Sequence, residues 1–139
     1  MTDVKLKKPI KVVVTGGRDF DDKDFAWSVI QRIAESRGIS LLGHGDATGL
    51  DTLAKECCNQ MHIPTQAFPV TRADWREHGK RAGPRRNKAM LLEVKPECVI
   101  AFPGGRGTAS CTQIARSLDL MVIQVRKDSR GEIHYQPLR

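Results

Sequence analysis

No run of this sequence reaches the roughly eighteen apolar residues that a membrane helix needs. Lysines at positions 5, 7 and 8 are followed by Pro9 and a short β-branched stretch, not by the apolar segment of a signal peptide. No membrane partner and a cytoplasmic location are therefore expected. Cysteine is sparse: Cys57 and Cys58 are adjacent, and Cys98 and Cys111 sit inside apolar patterns. Neither a disulfide framework nor a zinc-ligand spacing fits them, and buried thiols are expected. There is no helix-turn-helix pattern, no aromatic-rich sheet, no internal repeat and no low-complexity tract.

What is present is a basic chain of 139 residues, with 23 Lys and Arg against 16 Asp and Glu for a net charge of +7. That charge permits nucleic acid, nucleotides or any acidic partner and selects none of them. The length and the 40% hydrophobic content suit one soluble domain with a sizeable core. A single domain over 1–139 is expected, with its core at 10–125 and a C-terminal extension at 126–139.

The centre of the pattern is residues 98–108. The apolar run 98–102 reads as a buried strand that stops at Pro103. Gly104, Gly105, Arg106, Gly107 and Thr108 follow, and then a helical pattern with Cys111, Ile114, Ala115 and Leu118 on one side. Strand, glycine turn and helix together present free backbone N–H groups to an anion. The glycines are expected to turn the chain at positive φ and to allow close approach of a ligand.

Residues 10–15 are nearly all apolar and β-branched, as in a parallel strand covered on both faces. Gly16 and Gly17 end the strand, and Asp21 and Asp22 are placed to cap a helix that Gly38 closes. A short strand at 39–42 enters a second glycine turn at 43–49, followed by a helix at 50–61 with Asp51 in its first turn. A third strand is expected at 65–70. Residues 71–85 read as a long polar connection, with a helix from about Pro84. A strand at 120–125 follows, and 133–138 is compatible with an edge strand. This alternation predicts an α/β fold, a Rossmann-like three-layer sandwich with a mostly parallel five-stranded sheet. Right-handed crossovers put all three glycine turns on one rim, where open α/β sheets bind ligands.

Several motifs recur together. They are Thr15-Gly16-Gly17-Arg18-Asp19-Phe20, Gly43-x-Gly45, Gly49-Leu50-Asp51-x-Leu53-Ala54, Asp74-Trp75, Gly79-Lys80, the run Ala82 to Asn87, Met90, and Phe102 to Thr108. Over 10–125 this set resembles the small Rossmann-like proteins of the SLOG superfamily, and within it the small bacterial and phage branch. The resemblance implies sensing or processing of nucleotides and nucleotide-derived ligands, and often a homo-oligomer. Relatives include the lonely-guy phosphoribohydrolases and the DNA-processing proteins. The phosphoribohydrolases carry Pro-Gly-Gly-x-Gly-Thr and, after one residue, two glutamates. Here Pro103 to Thr108 match, Arg86 and Met90 match the family's Arg-x-x-x-Met, and the glutamate positions hold Ser110 and Cys111. Neither residue replaces a carboxylate in stabilising positive charge at a ribosyl carbon.

The candidate ligand-binding residues are Gly16, Gly17, Arg18, Gly43, Gly45, Asp51, Trp75, Arg85, Arg86, Asn87, Gly104, Gly105, Arg106, Gly107 and Thr108. Arg86 is read as an exposed side chain whose charge an anion at the helix start would offset. Trp75 either packs its loop or stacks on a base. Asp51 either caps its helix or, with Asp19 and Asp46, meets ribose hydroxyls or a divalent metal. His44 and His78 are read as polar contacts, not metal ligands. No cofactor is assigned, a metal accompanying the nucleotide being left open. Three functions compete: a domain that binds or senses a nucleotide-derived small molecule; a nucleotide N-glycosidic hydrolase with Asp51 or Asp19 as carboxylate; and, with less support, a single-stranded nucleic-acid module using the basic 80–88 cluster.

Overall fold

In the computed structural model, which describes residues 8–138, a single six-stranded sheet has the order β3-β2-β1-β4-β5-β6. The strands are β1 (Ile10–Thr15), β2 (Ile39–His44), β3 (Thr65–Ala67), β4 (Cys98–Ala101), β5 (Met121–Lys127) and β6 (Ile133–Leu138). The first five are parallel, and β6 returns antiparallel along β5. The expected count of five is thus corrected to six, because residues within 126–139 pair into the sheet. Pro137 fits because β6 is an edge strand and needs no donor on its outer side.

Successive side chains of β1 explain its unbroken apolar run. Val12 and Val14 face one layer, with Phe25, Ala26, Val29 and Ile30 of α1 (Lys23–Ser36) and Leu50, Ala54, Cys57 and Cys58 of α2 (Leu50–Gln60). Val13 faces the other layer, with Met90, Leu91 and Val94 of α4 (Ala82–Val94) and Cys111 and Ala115 of α5 (Arg106–Ser117). A strand buried on both faces has no polar alternation to show. All four cysteines are buried free thiols, as expected.

Helix α1 starts where Asp22 accepts the Phe25 N–H at 3.1 Å and ends at Gly38, whose φ of +79° closes the turn. Strand β3 stops at Ala67, short of the expected residue 70: Phe68 N–H still reaches the His44 carbonyl at 2.9 Å, and Pro69 has no N–H to continue. The expected connection at 71–85 is instead helical. It comprises α3 (Arg72–His78), a 3₁₀ turn at Gly79–Arg81 and the first turn of α4, which begins at Ala82. Thr71 and Asp74 form a reciprocal capping box that starts α3. No residue of α3 is buried, so the helix leaves no apolar period in the sequence.

Phe20, Phe25 and Phe102 pack edge-on with centroids 5.4–5.7 Å apart, under the turn that ends β1. Replacing the buried Phe102 by Ala is expected to destabilise the chain by about 3–5 kcal/mol. A lower denaturant midpoint with an unchanged slope in urea unfolding would show it.

Candidate functional site

The chain turns back at β1. Strands β2 and β3 lie on one side of it and β4 and β5 on the other, so the connections leaving the adjacent C-terminal ends of β1 and β4 pass to opposite layers at a topological switch point. A cleft of about 740 Å³ opens there. It is lined by residues from the turn after β1 (Gly16, Gly17, Arg18, Asp19), the turn after β2 (Gly45, Ala47, Asp51), the start of α4 (Arg86, Asn87) and the loop from Gly104 to Thr108. Twelve of the fifteen expected binding positions converge on it. Thr15, Ala47, Met90 and Pro103 also line it and were not foreseen as site residues. Ala47 acts through its backbone N–H, and its only sequence signal is its place between Gly45 and Gly49.

Three positions lie elsewhere. Gly43 is buried in the sheet, where a Cβ would stand 3.0 Å from Val94 and 3.2 Å from Val13. Arg85 is exposed and lines a separate concavity with Asp74, His78 and Glu93. Trp75 is 45% exposed and borders a smaller hollow that adjoins the cleft.

The glycines serve a different purpose from the one expected. Gly104 and Gly105 do not adopt positive φ; of the rim glycines described only Gly49, at +76°, does, and in the same turn the non-glycine Asp46 has φ of +58°. Gly16 is required by proximity, since a Cβ there would come within 2.5 Å of Leu50 Cγ; one on Gly17 would make a tight contact of 3.3 Å with the Pro103 carbonyl oxygen. A Cβ on Gly104 would collide with Thr108 Oγ1 and come within 2.8 Å of Gly17 N. Gly105 has φ of −102° and open space around it, so no geometric need for glycine exists there.

Helix α5 begins at this loop with Gly105 as its N-cap and no side-chain cap. The Ala109 N–H bonds the Gly105 carbonyl at 3.0 Å, leaving the N–H groups of Arg106, Gly107 and Thr108 without intrahelical acceptors. Thr108 Oγ1 is buried and has no partner among the described residues. Helix α2 also lacks a side-chain cap at its N-cap, Gly49. Two uncapped helix starts therefore stand near the cleft, each carrying a partial positive charge.

Asp51 is 7% exposed and does not cap its own helix, contrary to one reading of its position. Its Oδ2 accepts the N–H groups of Gly45 and Ala47, both at 3.1 Å, and so pins the turn ahead of α2. Burial raises its pKa to about 6, against the lowering effect of the Ala47 N–H, Arg86 and the Gly45 N–H. At neutral pH the carboxylate is charged. Arg86, expected to be exposed, is half-buried. Its Nη1 donates to the Gly45 carbonyl at 2.6 Å and the Phe68 carbonyl at 2.9 Å, and its Nε donates to Asn87 Oδ1 at 2.9 Å. Among the described residues Nη2 has no partner. Burial lowers the Arg86 pKa and Asp51 opposes that shift, but a guanidinium stays charged.

Asp19 lies exposed at the cleft mouth. Ser110 and Cys111 do not line the cleft. Cys111 is buried, and that burial pushes its thiol up to about 11, so no thiolate nucleophile is available there. His44 is buried at the end of β2 with a lowered pKa, chiefly from desolvation. Its Nδ1 accepts the Asp46 N–H at 3.0 Å, which puts the proton of the neutral ring on Nε2, a buried group with no partner. His78 lies 3.8 Å from Glu77. Among the described residues, ligand atoms with metal-holding proximity occur at Asp128, Glu132 and His134, none of which lines the cleft. There Asp128 already accepts the N–H groups of Arg130 and Glu132 and bonds the His134 ring, locking the β5–β6 turn.

With the geometry in place, comparison with known proteins places the chain. The YAcAr family, described as the YspA, cpYpsA-related SLOG family, matches residues 10–78. The Gene 61 protein of Mycobacterium phage D29 is 34% identical over 120 residues, covering 81% of this chain and 94% of that protein. Among solved structures, DNA processing protein A of Streptococcus pneumoniae superposes with a TM-score of 0.67 at 22% identity, over 89% of this chain and 52% of that one. The chain thus spans about half the length of the pneumococcal protein. DNA processing protein A of Helicobacter pylori, described for its single-stranded DNA binding mode, superposes with a TM-score of 0.66 at 15% identity, over 90% of this chain and 69% of that one. At these identities the likeness is one of fold. No helix among the described residues is long and apolar enough to cross a membrane.

Two outcomes follow from the site's geometry. Gly104→Ala is expected to destabilise the chain by more than about 1 kcal/mol, while Gly105→Ala stays within about 0.5 kcal/mol of the parent; thermal unfolding of the two variants compares them directly. The second concerns Asp51. Its raised pKa means that the folded state holds the proton more tightly than the unfolded chain does. The resulting stability is full below about pH 4 and is lost as pH rises through about 6. Asn keeps an oxygen acceptor without the buried charge. Asp51→Asn should therefore gain stability relative to the parent between about pH 4 and pH 7, by up to about 3 kcal/mol, as parallel urea titrations across that range would show.

Proposed function

Since this chain belongs to the YAcAr family of SLOG proteins, we propose that its cleft binds the phosphate-bearing end of a nucleotide or nucleotide-derived ligand, as a binding or sensing domain. The observation that carries this reading is the uncapped start of α5, with three N–H groups lacking intrahelical acceptors beside the buried, unpartnered Thr108 hydroxyl. Phosphate oxygens supply the missing acceptors, and Thr108 donates its hydroxyl proton. Arg18, Arg86 and Arg106 line the same cleft and offset the ligand's charge. At the opposite wall the ionised Asp51 repels phosphate from the Gly45 turn and suits a sugar hydroxyl as donor. Polarity therefore orients the ligand, phosphate to α5 and sugar toward α2.

This is a binding reading. The positions that hold glutamates in the phosphoribohydrolases lie outside the cleft, as Ser110 and Cys111. Asp51 is held by two backbone N–H groups, and an N-glycosidic hydrolase would have to use it or the exposed Asp19.

A second reading, single-stranded nucleic acid, draws on the fold shared with the Helicobacter pylori protein and on Arg72, Arg76, Lys80, Arg81, Arg85 and Lys88, all exposed on consecutive helical segments. Binding of that kind weakens steeply with salt.

Calorimetry with mononucleotides, dinucleotides, cyclic nucleotides and ADP-ribose, alongside a single-stranded oligonucleotide at two salt concentrations, separates the two. The nucleotide reading expects a small-molecule ligand and no dependence on the exposed cations Arg72, Arg76, Lys80, Arg81, Arg85 and Lys88. Arg106→Ala should weaken that ligand by about 10-fold, the worth of one charge-assisted hydrogen bond near 1.5 kcal/mol, with stability unchanged. Arg86→Ala should weaken it by about 10-fold to 150-fold and also lower the unfolding midpoint, since two backbone carbonyls lose their donor. Absence of binding across the whole small-molecule panel would refute the proposal.

A further inference from the structure

Helix α3 poses a question that the cleft does not answer. It buries no residue, yet it carries one of the chain's two tryptophans, Trp75, at 45% exposure. The other, Trp27, packs against the core with Lys23 over its ring at 4.5 Å. A half-exposed indole in a helix without buried residues adds nothing to the core that a smaller side chain would not.

The ring is not on a featureless surface. With Pro69 and Val70 it forms the apolar wall of a hollow of about 250 Å³. The hollow shares Arg18, Gly45, Ala47 and Arg86 with the glycine cleft, so the two are one continuous concavity divided by the Arg86 guanidinium. Arg86 is held in place by the Gly45 and Phe68 carbonyls, and a Cβ on Gly45 would approach its Nη2 to 2.9 Å. The hollow is therefore an annex whose walls are set by the same bonds that set the cleft. Its chemistry differs from that of the cleft, adding an indole, the Pro69 ring and the Val70 side chain to the Arg18 and Arg86 cations that the two share.

We propose that the Trp75 hollow is a nucleobase subsite, in which a base stacks on the indole while the phosphate of the same nucleotide occupies the start of α5. This rests on the phosphate-binding reading of the cleft. It also narrows that reading, because the ligand must be a nucleotide with an intact base and not a sugar phosphate. The sugar bridges the two compartments beside Arg86 and Asp51. Stacking on an indole tolerates any base, so selectivity among bases has to come from the backbone of residues 46–48 at the edge of the hollow.

The test uses the full chain with a Trp27→Phe background, which leaves Trp75 as the sole tryptophan, excited selectively at wavelengths where Tyr135 does not absorb. AMP, ADP and ADP-ribose are compared with ribose 5-phosphate and inorganic pyrophosphate by fluorescence and calorimetry. The expected result is quenching by the base-containing ligands and none by the other two. Trp75→Ala should weaken the nucleotides by about 5-fold to 150-fold, the range found for base–aromatic stacking. It should leave ribose 5-phosphate and pyrophosphate unchanged, and Trp75→Phe should restore part of the loss. Trp75 is exposed on a helix that buries nothing, so the variant keeps its fold. Equal nucleotide binding by the parent and Trp75→Ala would overturn the base subsite and leave the phosphate site standing. Failure of every probe to bind would overturn both.

Discussion

At the middle of the sheet two turns touch backbone to backbone, and the rest of the site depends on that contact. Strand β1 ends and β4 ends beside it. The pairing runs past both strands through Phe102 N–H to the Thr15 carbonyl at 2.8 Å and Gly17 N–H to the Pro103 carbonyl at 2.9 Å. A Cβ at 104 would push the turns apart through Gly17 N, and one at 16 would strike Leu50 of α2, so glycine at these positions serves close approach and not left-handed geometry. The glycine that does need positive φ is Gly49, where any side chain would meet the carbonyls of Gly17 and Arg18. Leu50 N–H bonds the Gly17 carbonyl at 3.1 Å, so the turn after β1 also seats the start of α2. One narrow backbone junction thereby joins three loops.

A second constraint is electrostatic. Asp51 and Arg86 are drawn from opposite layers of the sandwich, α2 and α4, and each bonds backbone of the loop after β2. Each charge is partly removed from water, a cost that the backbone bonds and mutual attraction offset. The pair therefore positions the rim more than it strengthens the fold. It also leaves the cleft polar in a directed way, with cations and free N–H groups at α5 and a carboxylate at α2. Arg86 thus both holds backbone of the rim and lines the cleft.

The hollow at Trp75 belongs to the same frame. It is lined by Gly45 to Thr48, the turn that Asp51 and Arg86 hold, and by Trp75 from a helix that starts at a capping box and buries no residue. Elements of this kind, with few buried contacts, are where local stability is lowest and where ligand-facing segments are commonly drawn from.

Much of the fold follows from the sequence alone. Apolar runs bounded by glycine and proline mark the central strands β1 and β4, because strands covered on both faces must be continuously apolar, whereas the edge strand β3, Thr-Gln-Ala, is marked only by Pro64 before it. The glycine turns fall on one rim because crossovers are right-handed. That the loop from Gly104 to Thr108 meets Arg18 and Arg86 in one cleft is legible because the turns that carry them follow strands ending on one rim. Helix α3 is not legible, since a helix that buries nothing leaves no period. The sixth strand is only half legible, since Pro137 suits an edge and says nothing about which edge. Tertiary structure alone decided what each polar residue does. Asp51 turns back to the loop before its helix, Arg86 is enclosed by carbonyls 18 and 41 residues away in sequence, Gly43 is consumed by packing against Val94, and Arg85 faces away beside an arginine that faces in. Periodicity reports which face of an element is buried. It cannot report which backbone atoms from other elements a polar side chain will meet, because those arrive only when the layers close.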